Sequence, residues 1–109
     1  MNPEKKKETL TKDGIIAFLR AHKEFLLLTF GVTKIALFGS YVRGEETEVS
    51  DIDLLVRFQQ PKSLIAFSGL QRELSEIAQR PVDLVTEDAL SPYFRDKVLA
   101  EMTVLYGSR

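Results

Sequence analysis

The sequence contains no cysteine, so disulfides, thiolate zinc sites and a cysteine nucleophile are excluded, and a reducing cytoplasm is permitted. Its single histidine, His22, makes a multi-histidine metal cage impossible. A basic excess is missing too: 15 Lys and Arg face 16 Asp and Glu, for a formal net charge of -1. Broad attachment to DNA or RNA by phosphate neutralisation needs such an excess, so strong nucleic-acid binding is not expected. No apolar run reaches the length of about 20 residues that a membrane span requires, and the opening MNPEKKKETL lacks the apolar core of a signal peptide. Internal repeats, low-complexity tracts and linkers are absent as well. What remains is 109 residues, 44% hydrophobic and 28% charged. That is enough apolar material for one core. The expectation is a cytoplasmic protein with a polar, solvated tail over 1–10 and a single domain over 11–109.

From Thr11 to Phe30, Ile15, Ile16, Leu19 and Leu26 recur at helical intervals, with Thr11 or Asp13 placed to cap the start and Gly31 to end it. His22 falls in this helix without an acidic or hydroxyl partner at helical spacing, which marks it as a surface or packing residue. Lys34 to Phe38 is a short apolar run that stops at Gly39 and reads as a buried strand. A loop, with room for one helical turn, leads to a second strand over 51–58. Pro61 closes that strand, and Lys62 to Gln79 carries Leu64, Ile65, Phe67, Leu70, Leu74, Ile77 and Ala78 at the period of an amphipathic helix. Pro81 precedes a third strand, 82–85. Ser91 and Pro92 look like the cap and first position of a last helix running to about Glu101. In it Tyr93, Phe94, Val98 and Leu99 are expected to face the core. Thr103 to Tyr106 adds a last strand. This order predicts an α/β layer structure, a small mixed β-sheet flanked by α-helices.

Three acids stand at strand positions: Asp51 and Asp53 at the opening of the second strand and Asp83 inside the third. Residues two apart on a strand share a face, so Asp51 and Asp53 are expected on one side and Ile52, Leu54 and Val56 on the other. Like charges held that close repel unless a cation or a donor offsets them. Magnesium suits such a pair, since it takes hard oxygen ligands from one or two carboxylates and completes its shell with substrate phosphates. Asp83 is flanked by apolar residues, which points to a largely buried strand; beside the Asp51 strand it would complete a three-carboxylate site suited to phosphoryl or nucleotidyl transfer by two metals. Taken singly, each acid also fits a strand-end carboxylate facing solvent or capping a turn. Gly39, directly after a buried strand, lets a phosphate approach the backbone, Ser40 adds a hydroxyl, and Arg43 stands within reach of a triphosphate oxygen or is simply solvated. Gly39 and Gly44 have the spacing of P-loop glycines, but Glu45 and Glu46 stand where the lysine and hydroxyl residue are required, which rejects a Walker-type NTPase.

Together Gly39-Ser40, the spacer to Ser50, Asp51-Ile52-Asp53 and the apolar run Leu54-Leu55-Val56 resemble the signature of the polymerase-β-like nucleotidyltransferase superfamily. In a chain this short the resemblance is to its minimal members, the MNT type found as the antitoxin beside a HEPN-domain toxin. The resemblance implies two Mg2+ ions on Asp51, Asp53 and Asp83, triphosphate contacts at Gly39 and Ser40, and attack on the α-phosphate of ATP with loss of pyrophosphate. It further implies a tyrosine hydroxyl of the HEPN toxin, an RNase, as acceptor of the AMP. A second reading, from a different class, is a catalytically weak nucleotide-binding domain that neutralises its partner by stoichiometric binding, because so small a core leaves little room for both a base pocket and an acceptor platform. Transfer to a small molecule or to RNA is the third. The lack of a further domain and of a basic excess both weigh against it.

Overall fold

The structure, a computed structural model, describes residues 11–47 and 49–107; the expected polar tail over 1–10 lies outside the described residues. Two helices open the chain, α1 (Lys12–Ala21) and α2 (Lys23–Phe30), followed by β1 (Val32–Phe38), the one-turn α3 (Ser40–Arg43) and β2 (Ile52–Phe58). Then come α4 (Leu64–Ala78), β3 (Val82–Val85), a 3-10 turn (Glu87–Ala89), α5 (Pro92–Glu101) and β4 (Thr103–Tyr106). The strands form one mixed sheet in the order β3-β2-β1-β4, antiparallel except for the parallel pair β2 and β3. This is the expected mixed sheet with helices on its faces. No helix of the described residues is long and apolar enough to cross a membrane.

One expected helix is two. The His22 ring Nδ1 donates to the Phe18 carbonyl at 2.9 Å, taking the acceptor that the His22 N–H would use in a continuous α-helix, and that N–H goes to the Leu19 carbonyl at 3.1 Å instead. Side-chain bonds of this kind compete with the helical ladder. Thr11 caps α1 by accepting from the Gly14 N–H at 3.1 Å, and Gly31 ends α2 in the left-handed conformation, both as expected.

Strand alternation divides the core by sheet face. Ile35 and Leu37 of β1, Ile52, Leu54 and Val56 of β2, and Val82 and Leu84 of β3 pack in one cluster with Ile15, Leu19, Leu26, Leu70 and Leu74 from α1, α2 and α4. Ala36, Phe38 and Leu55 project to the opposite face, where Val98 of α5 and Met102 cover them. Of the four residues of the last helix expected in the core, Val98 is buried and Leu99 is packed against it, but Tyr93 and Phe94 are exposed. They lie in the first turn of α5, whereas Val98 and Leu99, which pack on the sheet, come later in the helix.

Candidate active site

Three segments bring the site together. β1 ends at Phe38, whose Cα partner across the antiparallel pair is Asp53, so Gly39 arrives beside the Asp53 side chain. A Cβ on Gly39 would fall onto Asp53 Oδ2 and lie 3.0 Å from its Cγ. Gly39 also holds φ 84° and ψ -152°, a region that residues with a side chain avoid. The chain therefore needs glycine here twice over, for its backbone angle and for the carboxylate packed against it. α3, at four residues too short to be stable alone, is anchored by Tyr41, which is 1% exposed in the core. Burial pushes the Tyr41 phenol up from its ordinary value.

Asp53 is partly buried at this end of the sheet, on the α5 face with Leu55. Its register partner on the parallel strand β3 is Asp83. The two carboxylates thus stand side by side on adjacent strands. Burial first, then the charges of Asp83 and Asp51, raise the Asp53 carboxyl to about 6, while Arg43 opposes the rise and Glu101 adds to it. Burial beside two further carboxylates leaves a charge that a divalent cation with an oxygen shell would offset. Among the described residues, no three Asp, Glu, His or Cys side chains already stand in an arrangement that could hold a metal ion.

Two expectations about these acids need correction. Asp51 lies one residue ahead of β2, exposed, so its proximity to Asp53 is not enforced by strand alternation, although its charge still reaches Asp53. The β3 strand is not largely buried: it is a sheet edge whose exposure alternates, with Val82 and Leu84 inside and Asp83 exposed. Its free edge is covered from α4, where Ser75 Oγ accepts from the Val82 N–H at 2.9 Å and Gln71 Oε1 from the Leu84 N–H at 3.0 Å. These side chains occupy the donors that an edge strand leaves open, and they fix β3, and with it Asp83, against the sheet.

Arg43 points to this end as well, at the C-terminal end of α3. Its Nε donates to Glu45 Oε1 at 2.9 Å and its Nη1 to both oxygens of Glu101 at 3.2 Å. Those bonds, to Glu45 first and then to Glu101, raise its pKa further. Glu101 is the site residue that the sequence reading missed. It is the last residue of α5 and lies 62 positions from Gly39, whose N–H donates to its Oε2 at 3.0 Å. One signal was available: an acid in the last turn of a helix opposes the helix dipole, and so calls for a partner elsewhere. A groove of about 700 Å3 opens at the other end of β2, beside Lys34, Arg57 and Glu87, and includes none of these residues.

Set beside known proteins, residues 19–105 match the nucleotidyltransferase domain family. The protein adenylyltransferase MntA of Thermococcus cleftensis is 43% identical over 93 residues, which span 85% of this chain and 94% of that protein. A toxin-antitoxin crystal structure with AMP-PNP superposes with a TM-score of 0.70 at 28% identity, covering 83% of this chain and 74% of the matched one. A complex of tri-AMPylated Shewanella oneidensis HEPN toxin with MNT antitoxin gives 0.64 at 25% identity, covering 85% and 73%. By its sequence and its fold alike, the chain belongs to the nucleotidyltransferase domain family, with MntA-type protein adenylyltransferases among its relatives.

Proposed function

We propose that this protein transfers AMP from ATP to a tyrosine hydroxyl of a HEPN-type RNase toxin and so acts as its antitoxin. The observation that carries the proposal is the contact of the Gly39 turn with Asp53, directly across from Asp83. A triphosphate held at Gly39 and Ser40 places its α-phosphorus beside carboxylates that can hold two Mg2+ ions. The metal ions, when bound, offset the negative charges and lower the pKa of the attacking hydroxyl. Asp53 and Asp83, with Asp51, are the metal ligands; Arg43 meets the phosphate tail. The acceptor oxygen forms a bond to the α-phosphorus as the bond to the bridging oxygen breaks, pyrophosphate leaves with that electron pair, and the hydroxyl proton passes to solvent. Relatives bearing the adenylyltransferase name and the AMPylated toxin complex support protein as the acceptor class.

The test is label transfer from ATP carrying its label at the α-phosphate or at the γ-phosphate, with Mg2+ and the HEPN partner, for the wild type and Asp53→Asn. Label on the partner from the α position alone, and with the wild type alone, is expected. Tight association without transfer from either position refutes the enzyme reading in favour of a stoichiometric binder.

A further inference from the structure

Glu101 stands where two costs meet. A carboxylate at the last position of α5 opposes the helix dipole. Its charge also adds to the field that raises Asp53. What offsets these costs is its contacts with the Gly39 N–H and Arg43 Nη1. A carboxylate so held is a chemical likeness of a phosphate oxygen, an anion accepting from a backbone N–H and a guanidinium together. Its side chain is 28% exposed, so a rotamer turned to solvent is open to it. Arg43 keeps its bond to Glu45 through Nε whichever partner Nη1 takes.

From this we infer that Glu101 is an internal competitor of the triphosphate, holding the Gly39 N–H and Arg43 until the nucleotide's phosphates displace it. The inference rests on the proposed reading of Gly39, Ser40 and Arg43 as phosphate-binding residues, and it adds a residue that tunes nucleotide affinity. Repulsion from the incoming phosphates drives Glu101 outward, and Arg43 then exchanges a carboxylate for a phosphate oxygen.

The experiment is calorimetric titration of the full chain with MgATP and with magnesium tripolyphosphate at constant ionic strength, for the wild type, Glu101→Gln, Glu101→Ala and Glu45→Gln. Tripolyphosphate reports the phosphate site without the base. Both Glu101 variants are expected to bind both ligands about tenfold more tightly, equivalent to about 1.4 kcal/mol. Glu45→Gln, which removes an equal charge from Arg43 without freeing the Gly39 N–H, is expected to gain far less. Unchanged or weaker binding in both Glu101 variants overturns the inference and leaves Glu101 a structural tie between α5 and the turn. An equal gain from Glu45→Gln overturns it as well, since general charge removal then suffices. If the wild type and all variants bind neither ligand, the phosphate reading of Gly39 and Arg43 fails, and the competitor role falls with it.

Discussion

Asp53→Asn is expected to remove transfer and, at neutral pH without metal, to make the protein more stable. The Asp53 carboxyl is raised from 3.8 to about 6 in the fold, by burial foremost and then by the charges of Asp83 and Asp51. Because the folded value is the higher, the folded state holds the proton more tightly than the unfolded chain. That contribution to stability is present in full below about pH 4 and is lost as pH rises through about 6. The shift corresponds to about 3 kcal/mol of destabilisation at pH 8, an upper bound because the side chain is partly solvated. Asparagine keeps the shape and cannot ionise, so the variant should gain about 1 to 3 kcal/mol at pH 8, a rise of roughly 4 to 12 °C in Tm. The assay is thermal unfolding of both proteins in EDTA at pH 8 and at pH 4. The gap should be wide at pH 8 and close at pH 4, where the aspartate is protonated too. A gap of the same size at both pH values, or a variant less stable than the wild type at pH 8, refutes the claim that Asp53 is ionised at a cost.

Asp83→Asn removes the second-largest contribution to that shift and should bring the Asp53 titration, followed by carboxyl NMR, back towards 3.8; an unmoved Asp53 would place the two carboxylates too far apart to act together. Gly39→Ala sets a Cβ against Asp53 Oδ2 at a φ of 84°, and a loss of about 1 to 3 kcal/mol together with weakened MgATP binding is expected from denaturant unfolding and titration. Gln71→Ala leaves the Leu84 N–H without its acceptor and should cost about 1 kcal/mol, with faster hydrogen exchange concentrated in β3. Tyr106→Phe removes the buried bond from its hydroxyl to the Val32 carbonyl and should cost about 1 to 3 kcal/mol in chemical denaturation without altering nucleotide binding.

Local chemistry made much of this protein legible in its sequence. Short apolar runs bounded by Gly or Pro located the strands, period-3.6 patterns located the helices, and Ser91-Pro92 marked the start of α5, where Ser91 Oγ accepts from the Phe94 N–H. Gly39 announced a special turn because the glycine ends an apolar run. Not every local feature was legible, however. The break at His22 depends on a side chain taking the carbonyl four residues back in place of the helical ladder. The exposure of Tyr93 and Phe94 depends on which residues of α5 meet the sheet, which its own pattern does not encode.

The site divides along the same line. Its residue types and their order, Gly39, Ser40, Asp51, Asp53 and Asp83, belong to the sequence alone, because the period of a strand and the freedom of glycine are local properties. That Asp53 faces Asp83 required the parallel register of β2 and β3, which α4 secures by covering the β3 edge. That Glu101 meets Gly39 across 62 positions required the path of α5 over the sheet. Register and helix placement follow from how apolar faces close on one another, a property of the whole chain, and so tertiary structure alone decided that Asp53 meets Asp83 and that Glu101 meets Gly39 and Arg43.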